Sequence, residues 1–94
     1  MKILHHICSS PSESNALACA LRFFGPKDTL LLAGNAVTAA LLPYWLNAMD
    51  GYDLCLMKAD VDARGLTTQL TRFRQIDYAE FVALTLAHHK VISW

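Results

Sequence analysis

Three cysteines and four histidines are the side chains of this 94-residue sequence best suited to chemistry. Cys8 follows a short β-like run and precedes Ser9-Ser10-Pro11, so it stands where a strand turns toward a helix. Reactive groups gather at such strand ends in open parallel sheets, and a helix N-terminus lowers a thiol's pKa. Cys8 is therefore a candidate nucleophile; the alternative is a small, partly buried residue without a role. Cys19 lies two positions past Leu17 in the next helical stretch, facing away from the Leu17/Leu21 stripe. It is a second candidate for sulfur handling or a subunit contact, although no base stands at helical spacing from it. Cys55, between Leu54 and Leu56, reads as core, where a free thiol behaves as a small hydrophobe.

The remaining polar groups give no catalytic constellation. His5 and His6 are neighbours on a strand and point to opposite faces, so they do not share an ion. His88 and His89 end a helix, where a cationic imidazole favours the negative end of the dipole. No cysteine–histidine spacing matches a metal site, and neither a GxGxxG nor a P-loop is present, so no metal or cofactor is expected. Asp60 and Asp62, two apart on a short helix, do not face each other and read as solvated carboxylates. No residue is assigned a catalytic role; Cys19 and Cys8 are the candidates.

These residues need elements to hold them. Lys2 to Ile7 reads as a strand, and Ser10 or Ser12 as the cap of a helix over Glu13 to Phe24, stopped by Gly25-Pro26. Thr29 to Ala33 is an unbroken apolar strand, which implies burial on both faces. Ala36 to Leu42 is a short helix ended by Pro43, and Tyr44 to Met49 a further helical turn closed by Asp50-Gly51. Tyr52 to Met57 is a third strand, and Lys58 to Arg64 a short helix stopped by Gly65. Leu66 to Thr71 is ambiguous, and Phe73 to Ile76 is a fourth strand. Asp77 caps a helix over Tyr78 to His88, and Val91 to Trp94 is the last strand. Such alternation predicts a single α/β domain over 1–94: a three-layer sandwich with a mainly parallel sheet of four to five strands and helices on both faces.

Composition bounds the function. A domain this small hides only about 60–65% of its unfolded surface, yet 54% of its residues are hydrophobic. Part of that surface should meet a partner. The greasiest stretch runs from Ala36 to Met49, and Val37, Leu41, Tyr44, Trp45 and Met49 are its candidate interface residues; the local alternative is a thick core. A chain purified alone could homodimerise through such a face. Eight basic residues balance eight acidic ones, so no basic stripe favours direct nucleic-acid binding. No run approaches the roughly 18 apolar residues of a membrane span, and the start lacks a signal-peptide h-region. Unpaired cysteines fit a reducing cytoplasm.

Four segments together resemble a known family. They are Met1-Lys-Ile-Leu-His-His-Ile-Cys-Ser-Ser-Pro11, Thr29-Leu-Leu-Leu-Ala-Gly-Asn-Ala-Val-Thr-Ala-Ala-Leu41, Leu56-Met-Lys-Ala-Asp-Val-Asp-Ala-Arg-Gly-Leu66, and Ile76-Asp-Tyr-Ala-Glu-Phe-Val-Ala-Leu-Thr85 with the closing Trp94. In this order and spacing they resemble the TusB/DsrH family of the wider DsrE/DsrF/DsrH superfamily. The resemblance implies a subunit of a complex with TusC-like and TusD-like partners. Such a complex passes persulfide sulfur from TusA toward TusE, for 2-thiouridine at the tRNA wobble position. DsrH-type chains serve a corresponding complex in bacterial sulfur oxidation. In both systems the principal sulfur-carrying cysteine belongs to the TusD/DsrE subunit, which leaves this chain a structural or accessory place. Some DsrH-type chains carry a cysteine on the first helix, where Cys19 falls; Cys8 stands where the family has a polar residue. The remaining alternative is a stand-alone homo-oligomeric thiol carrier using Cys8 or Cys19.

Overall fold

The computed structural model describes residues 1–94. Its strands are β1 (Ile3–Ile7), β2 (Thr29–Leu32), β3 (Asp53–Met57), β4 (Gln75–Ile76) and β5 (Lys90–Ser93). They form one sheet in the order β4-β3-β2-β1-β5, and every pairing is parallel. Central β2 is buried at all four positions, as its unbroken Thr-Leu-Leu-Leu run requires of a strand covered on both faces. Between the strands lie α1 (Ala16–Arg22), a 3-10 segment (Gly34–Leu41), α2 (Pro43–Ala48), α3 (Lys58–Ala63) and α4 (Tyr78–Ala87).

Connection handedness decides where the helices go. The chain adds β2, β3 and β4 successively in one direction from β1, and right-handed crossovers then place the intervening helices on one face. It returns from β4 to β5 at the other edge, and the same handedness puts α4 on the opposite face. The buried side chains follow this division. Ile7, Leu17, Leu30, Leu32, Val37, Leu56 and Val61 form the core of the first face. Leu4, Leu31, Cys55 and Ile76 form the second, under Phe81 and Leu84 of α4. Strand alternation sends Leu30 and Leu32 one way and Leu31 the other. Each fully buried leucine contributes about 1.5–3 kcal/mol. The three-layer α/β sandwich expected from the sequence is the fold.

Most local boundaries shift by a residue or two, and three elements differ in more than that. The first helix begins at Ala16 rather than Glu13, and neither Ser10 nor Ser12 caps it; its N-cap position, Asn15, makes no side-chain cap bond. Polar side chains here bond the backbone locally in competition with helix: Glu13 Oε1 accepts the Ser10 N–H at 3.0 Å, and Ser14 Oγ that of Ala16 at 3.1 Å. The segment before Pro43 is a 3-10 rather than an α-helix, with the Ala36 N–H bonded to Ala33 O and that of Leu42 to Ala39 O. The fourth strand shrinks to Gln75–Ile76, because the Phe73 N–H turns back to Leu70 O. By contrast, Asp77 and Glu80 form the full capping box of α4.

A buried polar cluster ties the sheet to its edges. Trp94 Nε1–H donates to His5 Nδ1 at 3.1 Å, so the His5 proton sits on Nε2 and donates to Asp28 Oδ2 at 2.8 Å. Asp28 also accepts the Ile3 and Gly25 N–H groups. On the second face, His88 bridges Leu84 O and Thr29 Oγ1, whose hydroxyl reaches Asp53. These histidines hold α4 and the C-terminus to the sheet.

Candidate functional site

The turns after β1, β2 and β3 meet at the C-terminal edge of the sheet, where parallel folds collect reactive groups. Gly34 turns the chain at φ +52°, and a Cβ there would lie 2.9 Å from the Cys8 carbonyl oxygen. That approach admits only glycine. The Gly34 N–H donates to Asp60 Oδ2 at 2.8 Å, fastening α3 to the same turn. Arg64 donates to Asn35 Oδ1 from Nη2 and Nε, at 2.6 and 3.2 Å, and from Nη1 to Asp60 O at 3.0 Å. Asn35 Nδ2 donates in turn to Glu13 Oε1 at 3.1 Å. Hydrogen bonds from the Ser10 N–H and hydroxyl and from Asn35 hold the Glu13 carboxyl below its usual range. A polar lacing thus joins three loops that are far apart in sequence.

Cys8 lies on this edge, and its exposed Sγ is 3.4 Å from His6 Nε2. Both side chains point to the α4 face of β1, since they are two apart on an extended chain. His6 Nδ1 is 3.3 Å from Ser93 Oγ of β5, and its ring centroid lies 5.7 Å from that of Phe81. Burial lowers the His6 pKa, with the Asp60 charge acting against it, so a neutral imidazole faces the thiol. Nucleophile, base and a third group orienting the base form a recognisable order. The sequence already held the signal for His6: its i, i+2 spacing from Cys8 on a strand. Ser93, from the far end of the chain, had none.

The expectation of a lowered Cys8 pKa is reversed. The helix N-terminus that would lower it lies at Ala16, beyond the intervening turns. Burial, and then the neighbouring Asp60 carboxylate, push the thiol above its ordinary value of 9.0. Cys8 therefore rests as a thiol at neutral pH. Its alkylation rate by iodoacetamide should climb roughly tenfold per pH unit from pH 7 to pH 9, following the thiolate fraction. A rate already flat at pH 7 would show an activated thiolate instead.

The other candidates are placed differently. Cys19 is half-buried on α1, with its backbone N–H bonded to Asn15 O. Cys55 is fully buried, and desolvation pushes its pKa up to about 11. Asp60 is a clamp on Gly34 rather than a solvated carboxylate, while Asp62 accepts from Thr67 and Lys58 at the surface. No three histidine, cysteine or acidic side chains converge as a metal site would require. Of the expected interface residues, Val37 and Met49 are buried in the first core and offer no surface. Tyr44 is 72% exposed, Leu41 is exposed, and Trp45 is half-buried with an edge-to-face contact to Tyr44. The larger of two grooves, about 610 Å³, lies between α2, the start of β3 and Arg72-Phe73. It is at the opposite end of the strands from Cys8.

No helix is long and apolar enough to cross a membrane. The sequence model described as "DsrH like protein" matches residues 9–91. A protein named "Protein TusB" from Klebsiella pneumoniae (strain 342) is 33% identical, covering 98% of this chain and all of that relative. Proteins of the same name from Buchnera aphidicola and Pectobacterium parmentieri are 34% and 35% identical, with the same coverage. Matched from end to end, with the parallel sheet and edge turns just described, this chain belongs to the DsrH-like family.

Proposed function

We propose that this chain is a subunit of a cytoplasmic sulfur-relay complex of the TusBCD type. The complex passes persulfide sulfur toward 2-thiouridine formation at the tRNA wobble position. The chain serves in it as an accessory subunit, beside TusC-like and TusD-like partners, with TusA and TusE reached indirectly. The observation that carries this reading is the end-to-end match to proteins named TusB. The thiols support the accessory place: sulfur transfer needs an accessible thiolate, whereas Cys55 is buried and Cys8 is held protonated. Balanced charge supports contact with protein rather than tRNA.

Co-expression with TusC-like and TusD-like chains tests it. The three should co-purify, and a strain lacking this chain should lose wobble 2-thiouridine, recovered by a Cys8→Ser/Cys19→Ser double variant. A chain that never associates with them would overturn the reading. If its gene neighbours encode a dissimilatory sulfite reductase, the corresponding place in bacterial sulfur oxidation is the better reading.

The Cys8–His6–Ser93 geometry favours a second reading, a thiol carrier. His6 takes the Cys8 proton while the thiolate attacks the terminal sulfur of a donor persulfide R–S–SH. The donor S–S bond breaks, a Cys8–S–SH bond forms, and the proton passes to the departing R–S⁻ to give R–SH. No external oxidant is needed. Mass spectrometry should then show one added sulfur on the isolated wild-type chain and none on Cys8→Ser.

A further inference from the structure

A surface helix normally turns a polar face to water, and α4 does the reverse. Its inward side is Phe81 and Leu84, packed on the sheet. Its outward side is Tyr78, Ala79, Val82, Ala83, Leu86 and Ala87, all exposed and all without charge. Tyr78 is 73% and Leu86 82% exposed, although α4 is the only helix over the second face of the sheet. These six residues form two ridges at i, i+4, i+8 spacing, one large (Tyr78, Val82, Leu86) and one small (Ala79, Ala83, Ala87).

The geometry points to a second copy of this chain as the occupant, docked through α4 antiparallel to its own equivalent about a twofold axis. Ridges at i±4 spacing pack into the grooves of a like helix. A twofold axis perpendicular to the two helices sets each ridge against its own equivalent: the alanines let the backbones approach closely near Ala83, and Tyr78, Val82 and Leu86 pack beside them along one apolar seam. Charge selects the antiparallel sense. The α4 N-terminus carries exposed Asp77 and Glu80, and its C-terminus is followed by exposed His89 and Lys90. Antiparallel docking brings the acidic end of each helix near the basic end of the other and opposes the two helix dipoles. A parallel pair would set like charges together. The exposed Leu41 and Tyr44 lie with the 3-10 segment and α2 over the opposite face, and remain free for a different subunit. This inference does not depend on the sulfur-relay reading.

The full chain, purified alone, tests it by sedimentation equilibrium. It should form a dimer of twice its 10.4 kDa mass, and Ala83→Glu should weaken dimerisation about 30-fold or more by burying a charge at the centre. Ala83 is exposed in the monomer, so the variant's melting curve reports whether the monomer remains folded; Lys90→Glu, at the rim, should weaken the dimer independently, and added salt should then strengthen that dimer where it weakens the wild-type one. In a Cys8→Ser/Cys19→Ser background, Ala83→Cys near the axis should form a disulfide dimer on mild oxidation, and Tyr78→Cys, far from the axis, should not. A monomer at high concentration would overturn the proposal. So would a dimer indifferent to both charge variants, or an α4 surface protected from exchange only when a different subunit is bound. Co-purification with other subunits is a separate measurement, so the two readings fail independently.

Discussion

Asp28→Ala should destabilise the fold by about 3–5 kcal/mol, because it strips a buried carboxylate from three hydrogen-bond donors. The Asp28 carboxylate, 4% exposed, accepts from His5 Nε2 and from the Ile3 and Gly25 N–H groups, at 2.8, 2.9 and 2.8 Å. Alanine leaves the buried His5 N–H and the two part-buried backbone N–H groups unpaired, a fully buried unsatisfied group costing about 1–3 kcal/mol and the others less. Net stability for a domain of this size is only about 5–14 kcal/mol, so much of it goes. Urea unfolding measures the loss; a midpoint within experimental error of wild type would refute the assignment. The same carboxylate gives a pH signature. Burial acts to raise its pKa, but the hydrogen bonds from His5, Gly25 and Ile3 prevail and hold it below the ordinary 3.8. A folded pKa below the unfolded one means the stabilisation is complete above about 3.8 and is lost as pH falls through the lower folded value. Acid unfolding of wild type should therefore steepen below that pH, and the alanine variant should lose this component.

Gly34→Ala is the second large effect, about 2–5 kcal/mol. A left-handed conformation costs an alanine about 1–2 kcal/mol. The added Cβ would also meet the Cys8 carbonyl oxygen at 2.9 Å, backbone against backbone, and overpacking of this kind costs about 1–3 kcal/mol. Gly65→Ala provides the control: φ is +67°, but no atom lies within 4 Å of the new Cβ, so only the conformational term of about 1–2 kcal/mol applies. Equal losses in the two variants would remove the steric argument. Because Gly34 abuts Cys8, its variant should also change the Cys8 alkylation rate, and Gly65→Ala should leave that rate unchanged.

Much of the architecture was legible because the signals were local. Short apolar runs bounded by turn residues, Thr-Leu-Leu-Leu above all, placed the strands, and Asp77 placed the start of α4. The start of the first helix is not legible in the sequence, because side chains of Glu13 and Ser14 bond the neighbouring backbone. For Val37 and Met49 the sequence leaves contact face and thick core open, because an apolar run looks the same in both; the structure puts them in the core. At the thiol, the i, i+2 spacing of His6 and Cys8 on a strand carried a signal, but the direction of the Cys8 shift came from burial, with Asp60 of α3 adding to it.

The residue types and their spacing determined by themselves that this chain is one α/β domain with three unpaired thiols and excess apolar surface. Those properties follow from burial patterns, turn chemistry and charge count, which act within a few residues. Which serine meets the His6 imidazole, which carboxylate lies beside the Cys8 thiol, and which helix face is left bare were decided only by the tertiary structure. They depend on parallel crossovers that bring residues 8, 34, 60 and 93 to one edge and send α4 alone across the far side of the sheet.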